Sequence, residues 1–129
     1  MPPEVDGDSS KARTVLCVDD EAIGLQVRKI LLEREGYRVL TASNGPEGLS
    51  LFQQHDVHAV VLDYSMPGMD GGQVAAAMRE SNPAVPILLL SAYVSLPDEV
   101  LAHVDRYLTK GDGAVSFLES LRLLFTHPE

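Results

Sequence analysis

The chain has a single cysteine and little positive charge. Only Cys17 carries a thiol, so no disulfide can form within the chain. It has 10 Lys and Arg residues and 19 Asp and Glu residues, which gives a formal net charge of −9. This balance argues against binding nucleic acid directly, because such binding needs a surface of Lys and Arg. A lone thiol inside an apolar run is typical of a buried residue in a reducing compartment, so we expect the cytoplasm.

Long hydrophobic runs are also absent. No stretch approaches the ~18 apolar residues of a membrane-spanning helix, and residues 1–12 lack the apolar segment of a signal peptide. We therefore expect no association with a membrane. Residues 13–126 are predicted to form one domain, with a flexible N-terminal tail at 1–12 and a short C-terminal tail at 127–129.

The sequence does contain an alternation of strand and helix patterns. Short apolar runs predict strands at residues 14–18, 37–42, 58–62, 86–90 and 106–109. Helical spacing and start signals predict helices at residues 21–35, from 43 or 44 onward, and at 71–80, 98–103 and 114–125. Such alternation is typical of an α/β protein whose parallel sheet is covered by helices on both faces.

The first predicted helix has apolar residues at helical spacing. We expect its core-facing residues to be Ile23, Val27, Ile30 and Leu31. The helix is then predicted to stop at Gly36.

Polar side chains follow four of the five predicted strands. Asp19 and Asp20 follow the first, Asp63 the third, Ser91 the fourth and Lys110 the fifth. The carboxyl ends of parallel strands share one edge of the sheet, where ligands bind. Crowded carboxylates repel unless one is protonated or a cation is bound, and Mg²⁺ prefers such oxygen ligands. A metal, a lysine and a hydroxyl around one carboxylate are the groups that phosphoryl transfer requires.

The most specific segment is residues 60–71, VVLDYSMPGMDG, in which an apolar strand delivers Asp63 into a Pro-Gly turn. Through this segment and three others, the sequence resembles the response-regulator receiver family from about residue 13 to 125. The other matching segments are VDDE at 18–21, LLSA at 89–92 and YLTK at 107–110. The resemblance implies a flavodoxin-like, doubly wound, five-stranded parallel sheet in the order 2-1-3-4-5.

The resemblance also implies a role for each site residue. Asp63 is the implied phosphoacceptor, and Ser91 and Lys110 bind phosphoryl oxygens. Tyr107 is the implied switch aromatic, which turns inward when Ser91 is drawn to the phosphoryl group. The implied Mg²⁺ ligands are Asp19 through a water, Asp20, Asp63 and the backbone carbonyl of Ser65.

Such a protein takes its phosphoryl group from a sensor histidine kinase or a histidine phosphotransfer protein and signals to a downstream protein. It is not an enzyme toward other substrates, and Mg²⁺ is its one expected cofactor. No effector domain follows Phe125, so we expect a stand-alone receiver or a piece of a larger protein. A homodimer through the last strands and helices is left open.

Two departures from the family pattern lie near Lys110. The family usually has a cis-proline after this lysine, whereas Gly111 follows it here; a trans bond is expected, because a non-proline cis bond costs ~3 kcal/mol. The stretch between Ser91 and Lys110 is also short, so the fourth helix should be truncated or irregular.

Three other functions remain open. An aspartate-nucleophile phosphatase places Asp-x-Asp after its first strand, but Glu21 stands at the second acidic position. A nucleotide or flavin module needs a glycine-rich loop there, which the sequence lacks. A degenerate receiver would act as a phosphorylation-independent interaction domain, distinguished by failure to bind Mg²⁺ or accept a phosphoryl group.

Overall fold

A computed structural model describes residues 12–92 and 95–125 of the chain. Its strands are β1 Thr14–Val18, β2 Arg38–Ala42, β3 Ala59–Asp63, β4 Ile87–Ser91 and β5 Arg106–Thr109. Its helices are α1 Ala22–Arg34, α2 Gly45–Gln54, α3 Gly71–Ser81, α4 Asp98–Leu101 and α5 Gly113–Phe125, with a 3-10 turn at Lys110–Asp112. The predicted tails, except Ala12, lie outside the described residues.

The strands form one parallel sheet in the order β2-β1-β3-β4-β5, which confirms the predicted fold. Every residue of β1, β3 and β4 is buried. Successive side chains of a strand point to opposite faces, so Leu16 and Val18 contribute to one core layer and Val15 and Cys17 to the other. Helices α2 and α3 cover the first layer, and α1 and α5 cover the second. This arrangement brings the carboxyl ends of β1, β3, β4 and β5 to one edge.

Helix α1 presents a different face to the core from the one predicted. The prediction is wrong for three residues, whose exposed fractions are 82% for Ile23, 50% for Val27 and 44% for Ile30. Leu32 is instead fully buried, with Leu25 and Leu31 packed beside it. The helix carries two apolar stripes, and the sheet covers only one of them.

The region around β5 agrees with two predictions. Helix α4 spans only Asp98–Leu101, so the fourth helix is truncated as expected. The described residues contain no cis peptide bond, so the bond between Lys110 and Gly111 is trans. Within the same residues, no helix is both long and apolar enough to cross a lipid bilayer.

Candidate metal and phosphoacceptor site

Three carboxylates meet at the carboxyl edge of the sheet. Asp63 is the last residue of β3 and is 2% exposed. Asp19 follows β1, and its amide donates to the Ala42 carbonyl at 3.1 Å, which continues the ladder with β2. One carboxylate oxygen from each of Asp19, Asp20 and Asp63 lies within 4.8 Å of the other two. Asp19 is buried like Asp63, whereas Asp20 is exposed.

Lys110 provides a cation to this cluster from the 3-10 turn after β5. Its Nζ lies 2.9 Å from Oδ1 of Asp63, 3.6 Å from Oδ2 of Asp19 and 3.7 Å from Oε1 of Glu21. The contact with Asp63 is an ion pair, and Oδ1 of Asp63 is buried and forms no hydrogen bond with a described residue. That oxygen therefore keeps its capacity to bind a further cation.

The electrostatics of the site act mainly on Asp63. Burial raises the pKa of this carboxyl to about 6, the charge of Asp19 adds to the rise, and Lys110 opposes it. Burial of Lys110 by itself lowers its pKa, but the Asp63 and Asp19 carboxylates outweigh that effect, and the net pKa is raised. At neutral pH the site therefore holds a charged carboxylate that is poorly solvated, and a bound cation stabilises such a group.

These residues fit a hard divalent cation. Mg²⁺ takes oxygen ligands, often one or two carboxylates completed by water, and the cluster offers three carboxylates with one buried, unbonded oxygen. Ser65, whose backbone carbonyl was the fourth predicted ligand, lies in the exposed loop two positions after Asp63.

The loop from β3 to α3 is held by backbone hydrogen bonds. The amide of Gly71 donates to the Tyr64 carbonyl at 2.8 Å. Asp70 caps α3 reciprocally with Gln73, each side chain accepting from the other residue's backbone amide at 2.9 Å. Gly68 has φ of 82°, a left-handed conformation that favours glycine. The Pro-Gly turn thus leads directly from Asp63 into α3.

The predicted switch residues lie on the neighbouring strands. Ser91 ends β4, is fully buried and pairs in register with Thr109 of β5. Tyr107 lies on β5 opposite Leu89. Its hydroxyl is buried and forms no hydrogen bond with any residue that the structure describes. Ser91 and Tyr107 are thus on adjacent strands, two positions apart along the β4–β5 ladder.

Arg28 was not among the predicted site residues. Its guanidinium reaches from α1 to pair with Oδ2 of Asp19, and its side chain is only 15% exposed. A Cβ added to Gly24 would lie 3.3 Å from Nη2 of Arg28, so the arginine passes closely over a glycine. The available signal was Gly24 itself, a poor helix former one turn before an arginine.

The family model of the response regulator receiver domain matches residues 15–120. The chain belongs to this family. Transcriptional regulatory protein GlrR of Escherichia coli (strain K12) is 38% identical over 105 residues, a match that covers 79% of the chain and 24% of GlrR. The chain spans less than half the length of the curated relatives it matches.

Two solved structures of this receiver family extend the comparison. The response regulator TrrA of Thermotoga maritima in complex with Mg²⁺-BeF is 34% identical, with a TM-score of 0.82, and the match covers 87% of the chain and 98% of TrrA. TrrA in complex with the histidine kinase ThkA is also 34% identical, with a TM-score of 0.80, and the match covers 87% of the chain and 97% of the matched chain.

Proposed function

We propose that this receiver accepts a phosphoryl group on Asp63 from a sensor histidine kinase or a histidine phosphotransfer protein, with Mg²⁺ as its cofactor. The observation that carries the proposal is a buried Asp63 flanked by the Lys110 ammonium and the carboxylates of Asp19 and Asp20. TrrA, whose fold is similar, forms complexes with Mg²⁺-BeF and with a histidine kinase. We further propose that the receiver works in the cytoplasm and transmits its signal to a downstream protein without itself contacting nucleic acid.

The chemistry begins with the Asp63 carboxylate as nucleophile. One of its oxygens bonds to phosphorus while the phosphorus–nitrogen bond of a phosphohistidine breaks, and the released imidazole takes up a proton. Lys110 lies close enough to Asp63 to neutralise the transferring oxygens. Asp20, Asp63 and the Ser65 carbonyl, with Asp19 through a water, would hold Mg²⁺, which would supply Lewis-acid stabilisation of those oxygens. The chain catalyses only its own phosphorylation and dephosphorylation.

Phosphorylation of Asp63 changes the surface of the receiver. A phosphoryl group adds about −1.5 to −2 charges, which attracts the Lys110 ammonium and the Ser91 hydroxyl. Tyr107, on the strand next to Ser91, turns inward as Ser91 is drawn to the phosphoryl group. The result is a population change between two packings of β4, β5 and α5.

Intact-mass measurement after incubation with acetyl phosphate and Mg²⁺ tests the proposal. We expect one phosphoryl adduct on the wild type, and none on Asp63→Asn or on the wild type with the metal chelated. If the wild type binds Mg²⁺ but gains no adduct, the proposal fails. The protein is then a degenerate receiver that acts through phosphorylation-independent contacts.

A further inference from the structure

The Asp19 carboxylate already contacts a cation of the chain itself, the guanidinium of Arg28. Oδ1 of Asp19 accepts the Glu21 amide at 2.9 Å. Oδ2 pairs with the Arg28 guanidinium and lies 3.6 Å from Nζ of Lys110. Since Asp19 is 1% exposed, water contributes little to neutralising its charge. Arg28 is therefore its principal counterion in the metal-free protein.

The position of Arg28 depends on α1. Gly24, one turn earlier, leaves space for the guanidinium, which a Cβ there would approach to 3.3 Å. Arg28 and Lys110 also line a cavity of about 190 Å³ between α1 and α5, with Val27, Leu31, Leu108 and Phe117 on its apolar walls. An arginine can lay its aliphatic stem on such a wall and keep its charged end at the opening. The cavity therefore provides space beside the guanidinium, next to its position at Asp19.

We propose that Arg28 is an internal competitor of Mg²⁺, whose guanidinium holds the Asp19 carboxylate in the metal-free protein and weakens Mg²⁺ binding at the site. The proposal rests on the proposed function, because it assumes that Asp19 helps to bind Mg²⁺. Two positive groups, Arg28 and Lys110, face the acids Asp19, Asp20, Asp63 and Glu21. A third cation must overcome their repulsion and share the Asp19 charge with the guanidinium. Arg28 therefore sets the Mg²⁺ concentration at which the receiver becomes competent.

Calorimetric titration with Mg²⁺ at fixed ionic strength measures this competition. We expect Arg28→Gln, which keeps a hydrogen-bond donor but removes the charge, to bind Mg²⁺ about tenfold more tightly than the wild type. Arg28→Lys retains a positive charge and should stay within about threefold of the wild type. The matched control is Lys29→Gln, which removes the same charge from the next residue of α1. The Lys29 ammonium pairs with Glu33 at 2.9 Å, so this change should leave Mg²⁺ affinity unaltered.

The outcomes separate this inference from the proposed function. If the wild type binds Mg²⁺ and Arg28→Gln binds it equally or less tightly, the inference fails while the proposed function stands. If no protein binds Mg²⁺, both fail together. Binding seen only in Arg28→Gln supports the inference.

A measurement on the wild type covers the case in which Arg28→Gln does not fold. Nuclear magnetic resonance of the arginine side chains reports how fast the Arg28 Nη protons, which include the donor to Asp19, exchange with water. We expect saturating Mg²⁺ to accelerate this exchange several-fold, because the ion pair with Asp19 is released. Unchanged exchange at saturation overturns the inference.

Discussion

The backbone of Gly71, at the start of α3, packs directly against the backbone of Asp63. A Cβ added to Gly71 would lie 2.6 Å from the Asp63 carbonyl oxygen and 2.8 Å from the Cα of Tyr64. The same glycine donates its amide to the Tyr64 carbonyl at 2.8 Å. The position of the proposed phosphoacceptor therefore depends on a residue without a side chain, eight positions further along the chain.

Gly71→Ala is expected to lower the free energy of unfolding by ~2 kcal/mol or more, because the rigid backbone of the β3–α3 loop must shift. Urea unfolding of the variant and the wild type measures the loss. Gly111→Ala is the control, since no described residue beyond the adjoining backbone lies within 4 Å of the added Cβ, and its effect should stay within about 1 kcal/mol. Equal urea midpoints of unfolding for Gly71→Ala and Gly111→Ala would contradict the close packing of Gly71 against the Asp63 backbone.

Asp63→Asn is expected to stabilise the metal-free protein at neutral pH but not in acid. Burial raises the pKa of Asp63 from 3.8 to about 6, so the folded state holds this proton more tightly than the unfolded state. The contribution of Asp63 to stability is therefore fully present below the unfolded-state pKa of 3.8. It is lost as the pH rises through the folded-state pKa of about 6. At a pH of about 7.5 the variant should gain roughly 3 kcal/mol of unfolding free energy over the wild type.

Urea unfolding in chelator, at a pH of about 4 and again at about 7.5, tests this dependence. Asp56→Asn serves as the control, because the Asp56 side chain is 96% exposed. A gain for Asp63→Asn that is the same at both pH values would mean that ionisation of Asp63 is not its source.

Cys17 is expected to resist thiol reagents in the folded protein. Burial raises the pKa of its thiol to about 12, and only the thiolate reacts. A disulfide reagent should label the single thiol at the rate of unfolding and immediately in concentrated urea. Rapid labelling without denaturant would show that the core layer formed by β1, α1 and α5 opens readily.

Tyr107→Phe is expected to leave the free energy of unfolding unchanged or to raise it by up to about 1 kcal/mol. The Tyr107 hydroxyl is buried without a hydrogen bond to any described residue, so removing it deletes a desolvated polar group and keeps the ring. Thermal unfolding checks the prediction. A clear loss of stability would reveal a hydrogen-bond partner for this hydroxyl.

The sequence pattern was sufficient for the elements and for the edge where the site lies. Continuous apolar runs are compatible with strands buried on both faces, and polar residues directly after such strands must meet at the carboxyl edge of a parallel sheet. Asp19, Asp63 and Lys110 were therefore placed together correctly. The order of the strands came from the resemblance to the receiver family, since periodicity carries no information on which strands are neighbours.

Only the tertiary structure decided the face of α1 and the counterion of Asp19. Ile23 and Leu32 both belong to apolar stripes at helical spacing, and the stripe that becomes buried depends on how α1 lies across the sheet and against α5. The same placement turns Arg28 toward Asp19. Sequence alone determines which residues share a helix face or follow a strand, because those relations are local. The contacts between elements that are distant in the chain depend on packing, which decides where the charge of Arg28 is neutralised.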